Sequence, residues 1–324
     1  MSANYEHTIR TPVGAEGVGL HTGVQARLRL LPAAAGSGIV FRRTDLDNFE
    51  VEACAANIAR VSYATSLMKK GVLISTTEHL LAALYAFGID NVIVELDNLE
   101  LPIFDGSARP FAELVRAAGR VRQRRRRRYV QVVEAVEVVA GDAPARRIAI
   151  YPAANTGGLR VDYEIDFSHP LIGRQALSFE LTPGSFSGLI SGARTFCFYD
   201  EVERLRQMGL IRGGSLDCAV VLTRDAVMNP DGLRYPDEFC RHKALDLIGD
   251  LALIGRPLIG HIVAHHAGHA LHTTLVLRLL RTPSAWREVR AEQLTQATAA
   301  PEPPARTASA PPSGASPPTR TASR

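Results

Sequence analysis

One segment constrains this chain more than any other. From Asp237 to Ile254 apolar residues recur at helical spacing and occupy most sides, with Leu245, Leu247, Ile248, Leu251 and Leu253 among them. A helix that is apolar nearly all round is a buried one. Yet His242, Asp246 and Asp250 follow one another four residues apart, on a single face. A polar stripe on a buried helix needs partners. Spacing alone gives an ordinary surface His–Asp pair, and such pairs are weak. The apolar surroundings raise the other reading, an imidazole and a carboxylate that reach one metal. Gly255 and Pro257 stop the pattern.

Two further places carry candidate chemistry. Thr76 to Phe87 has helical spacing at Leu80, Leu81, Leu84 and Phe87, with Gly88 at its C-terminal end. Ser75 reads as the N-cap and Glu78, three residues on, as the second half of a capping box. Glu78 and His79 then sit in the first turn, where side chains can project into a cleft. The order T-E-H-L-L differs from the H-E-x-x-H of common metalloproteases. The second place is HIVAHHAGHALH, with His261, His265, His266, His269 and His272. Gly268 divides it, so His261 and His265 fall on a strand and its exit, and His269 at a helix N-terminus. Only one or two of the five are expected to face any one site. GVGLHTG, at 17–23, lacks the strand–turn–helix setting and following acidic residue of a dinucleotide loop.

The remaining pattern is mixed. Strands are expected at Ala26–Leu31, Asn91–Leu96, Tyr129–Val139, Ala145–Tyr151, Leu159–Phe167, Ala219–Leu222 and Leu258–His265. Helices are expected at Gly188–Arg194, Glu201–Met208 and His269–Leu280. Strand runs followed by helices, twice over, give an α+β class rather than a doubly wound parallel sheet. A chain of 324 residues is long for one core, which favours two domains. The break is placed at the arginine run, as 1–121, a solvated linker at 122–128, and 129–285. Residues 286–324 are read as a Pro/Ala/Ser-rich tail, largely disordered, with a loosely attached helix over 285–300. No internal repeat is visible.

Charge and cysteines exclude several functions. Arg122 and Arg124–Arg128 supply six positive charges, and removing them from the net +4 leaves −2. A nucleic-acid binder needs a basic face beyond such a run. The four scattered cysteines suit neither a disulfide framework nor a thiolate zinc site. No stretch is apolar enough to span a membrane. The N-terminus lacks a signal-peptide profile, so a cytoplasmic protein is expected.

Together these segments resemble the UDP-3-O-acyl-N-acetylglucosamine deacetylase family, the zinc amidases of lipid A synthesis. The matching segments are GVGLHTG (17–23), FRRTDL (41–46), ISTTEHLLAAL (74–84), GIDNVIVEL (88–96), PIFDGSA (102–108), ARTF (193–196), GGSLDCAVV (213–221), DGLRYPDEFCRHKALDLIGDL (231–251) and GHAL (268–271). They run in order from about residue 7 to residue 280.

The resemblance implies two domains of similar topology, each a layered sheet-and-helix sandwich, with the active site in the cleft between them. It implies one catalytic Zn2+ (Fe2+ being the alternative in vivo) held by His79, His242 and Asp246. Glu78 would be the general base and Thr195 the oxyanion donor. His269 would act protonated beside its partner carboxylate Asp250, and Lys243 would lie near the acetyl group. The helix N-terminus would lower the pKa of His269, and Asp250 would oppose that.

For the substrate, a UDP-sugar with a long acyl chain, the resemblance implies an apolar passage in an insert near 194–222. Phe196 would stack on the sugar, and Gly214, Ser215, Ala219 and Val221 would line passage and sugar site. Core packing is the equal alternative for Ala219 and Val221. His266 stands where the family often has a lysine near the diphosphate, and His272 where an asparagine is common. The resemblance further implies a monomer that neither binds nucleic acid nor inserts in a membrane. A catalytically dead homologue would need a lost ligand or base, and every motif position is present.

Overall fold

Strict alternation builds the first sheet. Ala26, Leu28 and Leu30 are buried, while Arg27 and Arg29 between them are exposed and pair with Glu16 and Glu95 on neighbouring strands. The computed structural model describes residues 4–59, 61–141, 146–154, 158–290 and 293. Its first half contains β1 (Tyr5–Ile9), β2 (Val13–Val18), β3 (Gln25–Pro32), β4 (Ile39–Arg43), β5 (Phe49–Glu52), β6 (Leu67–Lys69) and β7 (Val72–Ile74). These are followed by α1 (Glu78–Ala86), β8 (Val92–Leu96), α2 (Arg109–Ala118) and β9 (Arg120–Arg126).

The second half runs β10 (Arg128–Val132), β11 (Val136–Ala140), β12 (Arg146–Tyr151), β13 (Leu159–Phe167) and β14 (Gly173–Glu180). Then come α3 (Pro183–Ser185), β15 (Phe196–Phe198), α4 (Tyr199–Gln207), β16 (Val220–Leu222) and α5 (Glu238–Leu251). β17 (Leu258–His265), α6 (His269–Leu280) and β18 (Trp286–Arg290) complete it.

The two halves repeat one strand order. The first sheet is β2-β3-β8-β4-β5, with β4 and β8 parallel and the other pairs antiparallel. In the second, β11, β12, β17, β13 and β14 pair in the corresponding order, again with only the central pair, β13 and β17, parallel. β10 and β18 extend that sheet through β17. α1 and α5 occupy equivalent places, each before the central strand, and they pack on each other. The approach is close. A Cβ on Gly249 of α5 would lie 2.1 Å from the Glu78 carbonyl oxygen of α1, so glycine is required there. The α+β class, in two sheet-and-helix regions, is therefore as expected. Among the described residues no helix is long and apolar enough to cross a membrane.

Several expectations are corrected. The arginine run is a strand and not an irregular linker, although Arg122 and Arg124–Arg126 are exposed as expected. Arg120–Arg126 forms β9, antiparallel to β1, and Arg128 starts β10. Its charges are taken up locally: Arg125 pairs with Glu6, Arg127 with Asp90, Arg128 with Glu288, and Arg122 and Arg126 lie over the Tyr5 ring. No helix starts at 285. Trp286–Arg290 is β18, antiparallel to β10, because the W-R-E-V-R segment buries Val289 on a sheet edge. The tail beyond Arg290 lies outside the described residues, Gln293 apart.

The capping box at Ser75 is absent. Thr76 has φ +59°, which delays the helix, and Thr77 precedes its first residue with no side-chain cap. The helix placed at 188–194 lies earlier. α3 is capped by Thr182 and Ser185 and runs into a π-helical turn, Phe186–Ile190. The strand read over 129–139 is broken at residues 133–135 into β10 and β11.

Candidate active site

α5 brings the stripe to the α1 interface. His242, Asp246 and Asp250 are all buried on it, and His79 meets the first two from the start of α1. The ligand atoms of His79, His242 and Asp246 lie within 4.8 Å of one another. His242 Nε2 is 3.3 Å, and His79 Nε2 3.8 Å, from Asp246 Oδ1. His242 Nδ1 donates to the Ala193 carbonyl at 3.0 Å, which leaves Nε2 as the free lone pair.

Protonation suits a metal. Burial, with the charge of His242, pushes His79 down to about 3, and burial lowers His242 as well. Burial opposes ionisation of Asp246, yet His242, Lys243 and His269 hold its carboxyl well below the usual range. All three groups are thus deprotonated at neutral pH, as ligands must be. Asp246 Oδ1, which faces the Nε2 atoms of both histidines, is buried without a hydrogen-bond partner, so the cluster is incomplete without a cation. Two imidazoles and one carboxylate fit a divalent catalytic metal that keeps an open position.

Glu78 and His269 flank this cluster. Burial raises the Glu78 carboxyl to about 7, against the charge of His269. Rather than capping its helix, the carboxylate accepts the Thr65 backbone N–H at 3.0 Å. His269 begins α6, with its Nε2 3.7 Å from Asp246 Oδ2. Burial disfavours its cation, yet Asp250 and Asp246 outweigh burial and raise the ring to about 9.

Asp250 stands behind the cleft. Its Oδ2 accepts from His269 Nδ1 at 2.8 Å, and its Oδ1 accepts from the Thr65 hydroxyl at 2.5 Å. Thr65 therefore touches both flanking groups, Glu78 through its backbone N–H and His269 Nδ1 through its hydroxyl at 3.0 Å, and sequence reasoning missed it. It lies in an irregular stretch before β6 that no periodicity or motif marks in the sequence.

Two cavities share a wall. One, of about 340 Å³, is lined by Glu78, His79, His242, Asp246, His266 and His269. Lys243 and Arg146 also reach it. Lys243 Nζ is 3.2 Å from Asp246 Oδ2 and lies over the Phe196 ring. The second, about 220 Å³ and mostly apolar, is lined by Thr195, Phe196, Gly214, Ser215, Ala219 and Val221. Thr195 and Phe196 face both. Of the five clustered histidines, His266 and His269 line the cleft. His261 and His265 instead pair with Asp162 and Glu164 on β13, and His272 is buried behind.

Comparison with known proteins follows the same segments. The model of the family described as LpxC, UDP-3-O-acyl N-acetylglycosamine deacetylase, matches residues 6–281. The UDP-3-O-acyl-N-acetylglucosamine deacetylase of Solibacter usitatus is 50% identical over 290 residues, 90% of this chain and 96% of the relative. Those of Myxococcus xanthus and Phenylobacterium zucineum are 45% and 43% identical, each over 90% of this chain and 91% and 99% of their own. The matched stretch contains both flanking groups and the whole metal-type cluster, and this chain belongs to the UDP-3-O-acyl N-acetylglycosamine deacetylase family.

Proposed function

We propose that the chain hydrolyses the N-acetyl group of UDP-3-O-acyl-N-acetylglucosamine, an early step of lipid A biosynthesis, with one zinc ion held by His79, His242 and Asp246. The observation that carries this reading is the convergence of that triad, from two halves of the chain, between a carboxylate poised near 7 and a histidine poised near 9. When bound, the ion supplies Lewis-acid polarisation and makes hydroxide accessible near neutral pH.

The protein's own groups do the rest. Glu78 takes the proton of the attacking water, which its raised pKa suits. The Thr195 hydroxyl, on the wall shared by the two cavities, donates to the oxyanion. Protonated His269, held through Nδ1 by Asp250, gives its proton to the leaving amine. The products are acetate and the free 2-amine. Lys243 sits beside the acetyl group and Phe196 stacks on the sugar. The apolar cavity at Gly214, Ser215, Ala219 and Val221 takes the acyl chain. His266, at φ +50° just past β17, faces the diphosphate. We divide the chain into two catalytic domains near the β9–β10 junction, and read it as a cytoplasmic monomer.

The test is amine release by the purified protein as isolated, after chelation, and after zinc is added back. Activity removed by the chelator and restored by one equivalent of zinc supports the reading. No activity in folded, zinc-loaded protein overturns it.

A further inference from the structure

His272 has no part in the reaction just described, yet it is fully buried and bonded at both ring nitrogens. Its Nδ1 lies 2.9 Å from Asp250 Oδ2, the same oxygen that His269 Nδ1 approaches at 2.8 Å. A carboxylate only accepts, so His272 donates through Nδ1–H. Its Nε2 is then an acceptor, and the single O–H proton of Tyr163 is shared between that nitrogen and the Ala267 carbonyl, each 2.9 Å from Oη. Tyr163 is on β13 and 1% exposed. Ala267 is two residues before His269.

Two routes from this pair therefore converge on the His269 ring, beside the direct 3.0 Å contact of the Thr65 hydroxyl with His269 Nδ1. One is through space: His272 holds the Asp250 carboxylate, and Asp250 holds Nδ1. The other is through the chain: Tyr163 pins the turn that delivers His269 into the cleft. Asp250 then has three donors, Thr65, His269 and His272, which leaves little freedom to rotate its carboxylate. We propose that His272 and Tyr163 are positioning residues for the deacetylation, fixing the Asp250 carboxylate and the Ala267 carbonyl and, through both, the ring of His269.

The asparagine common at this position is shorter. It can donate to Asp250 but cannot also reach Tyr163. The order of effects follows. His272→Asn keeps the bond to Asp250 and loses the tyrosine link. His272→Leu keeps the bulk and loses both.

The activity arm rests on the deacetylase reading, and the spectroscopic arm does not. In the zinc-loaded full chain, His272→Leu lowers kcat about ten-fold or more, the scale set by outer partners of active-site histidines. KM, zinc content and the circular dichroism spectrum stay as in the parent protein. His272→Asn recovers kcat to within about three-fold, and Tyr163→Phe falls between the two. In proton NMR the hydrogen-bonded Nδ1–H of His269 gives a sharp downfield signal in the parent and in His272→Asn, broadened in His272→Leu.

Equal kcat in His272→Leu and parent, or an unchanged His269 signal, overturns the proposal. If His272→Leu does not fold, His272→Asn and Tyr163→Phe decide it. Loss in neither rate nor signal in Tyr163→Phe overturns the tyrosine route. If the parent has no deacetylase activity, the reaction reading fails, and the NMR arm still tests the positioning.

Discussion

The two halves share a strand order and differ in what they expose from it. α1 and α5 hold equivalent places and press together through Gly249, yet α1 gives the cleft only its first turn, Glu78 and His79. α5 gives two successive turns, His242 and Asp246 towards the cleft and Asp250 behind it. The helix after the central strand differs more sharply. α6 supplies His269 and backs it with His272, whereas no residue of α2 lines the cleft. The connections diverge as well. Between β5 and α1 lies a short hairpin, β6–β7. Between β14 and α5 lies the longer segment that builds the apolar cavity. The topology thus sets where helices meet, and the side chains placed on each decide which half does the chemistry.

The largest effect comes from breaking the shared triad. His79→Ala and His242→Ala remove one ligand from opposite halves, and both should lose the metal and all measurable deacetylation. Elemental analysis of folded, purified protein checks this, and normal metal content in His242→Ala would break the assignment. If one variant keeps its metal and the other does not, the halves do not share a site.

Next come the groups that act without holding the metal. Glu78→Gln should keep its zinc and lose about 10²–10⁴ in kcat, as for a general base. Thr195→Ala should keep zinc and lose about 10²–10³, as for one oxyanion donor. Single-turnover rates on metal-replete protein separate the two from ligand loss. A Thr195→Ala enzyme with parental kcat would sharpen the picture by leaving stabilisation of the oxyanion to the metal and other groups.

Parts of this comparison could be read in the sequence, for definite reasons. α5, α6, β13 and β17 are long and strongly periodic, so local pattern sufficed. His269–Leu280 and Leu159–Phe167 end where expected. The stripe His242–Asp246–Asp250 was visible because four-residue spacing is a property of one helix. Its partners were not, because α5 meets α1 and Thr65 only through long-range packing, and only family resemblance brought His79 and His269 to it. The repeated strand order left no sequence trace, since pairing five strands in one order needs only alternation and suitable connections. The arginine run was rightly read as exposed but wrongly as a linker, because β1 and the Tyr5, Glu6 and Asp90 side chains that meet it lie far away in sequence.

The contact between α1 and α5 gives a smaller, structural effect. Gly249→Ala places a methyl against the backbone of Glu78, where a flexible side chain cannot give way. Overpacking of this kind costs about 1–3 kcal/mol. In a chain of this size that is roughly 2–4 °C in Tm per kcal/mol. kcat should fall too, because the backbone that must shift carries the base. Calorimetry beside kinetics checks both, and an unchanged Tm would mean the halves are less tightly joined than the structure shows.

The smallest effect tests the feature of the first half that the sequence hid. β1 carries His7, buried beside the arginine strand with which it pairs. Burial, with the charges of Arg120 and Arg127, pushes its pKa down to about 4. The unfolded chain holds this group near its ordinary 6.5. Above that value the group is neutral in both states and adds no pH dependence. Between 6.5 and 4 the unfolded chain takes up a proton that the folded one refuses, so stability falls as pH drops through that window. His7→Gln cannot titrate and removes this contribution, while carboxylates elsewhere act equally in both proteins. Urea midpoints at pH 7 and pH 5 should therefore drop further in the parent than in His7→Gln. Equal drops would mean that His7 titrates in the folded chain as it does in the unfolded one, and that its place beside β9 is more open than the structure shows.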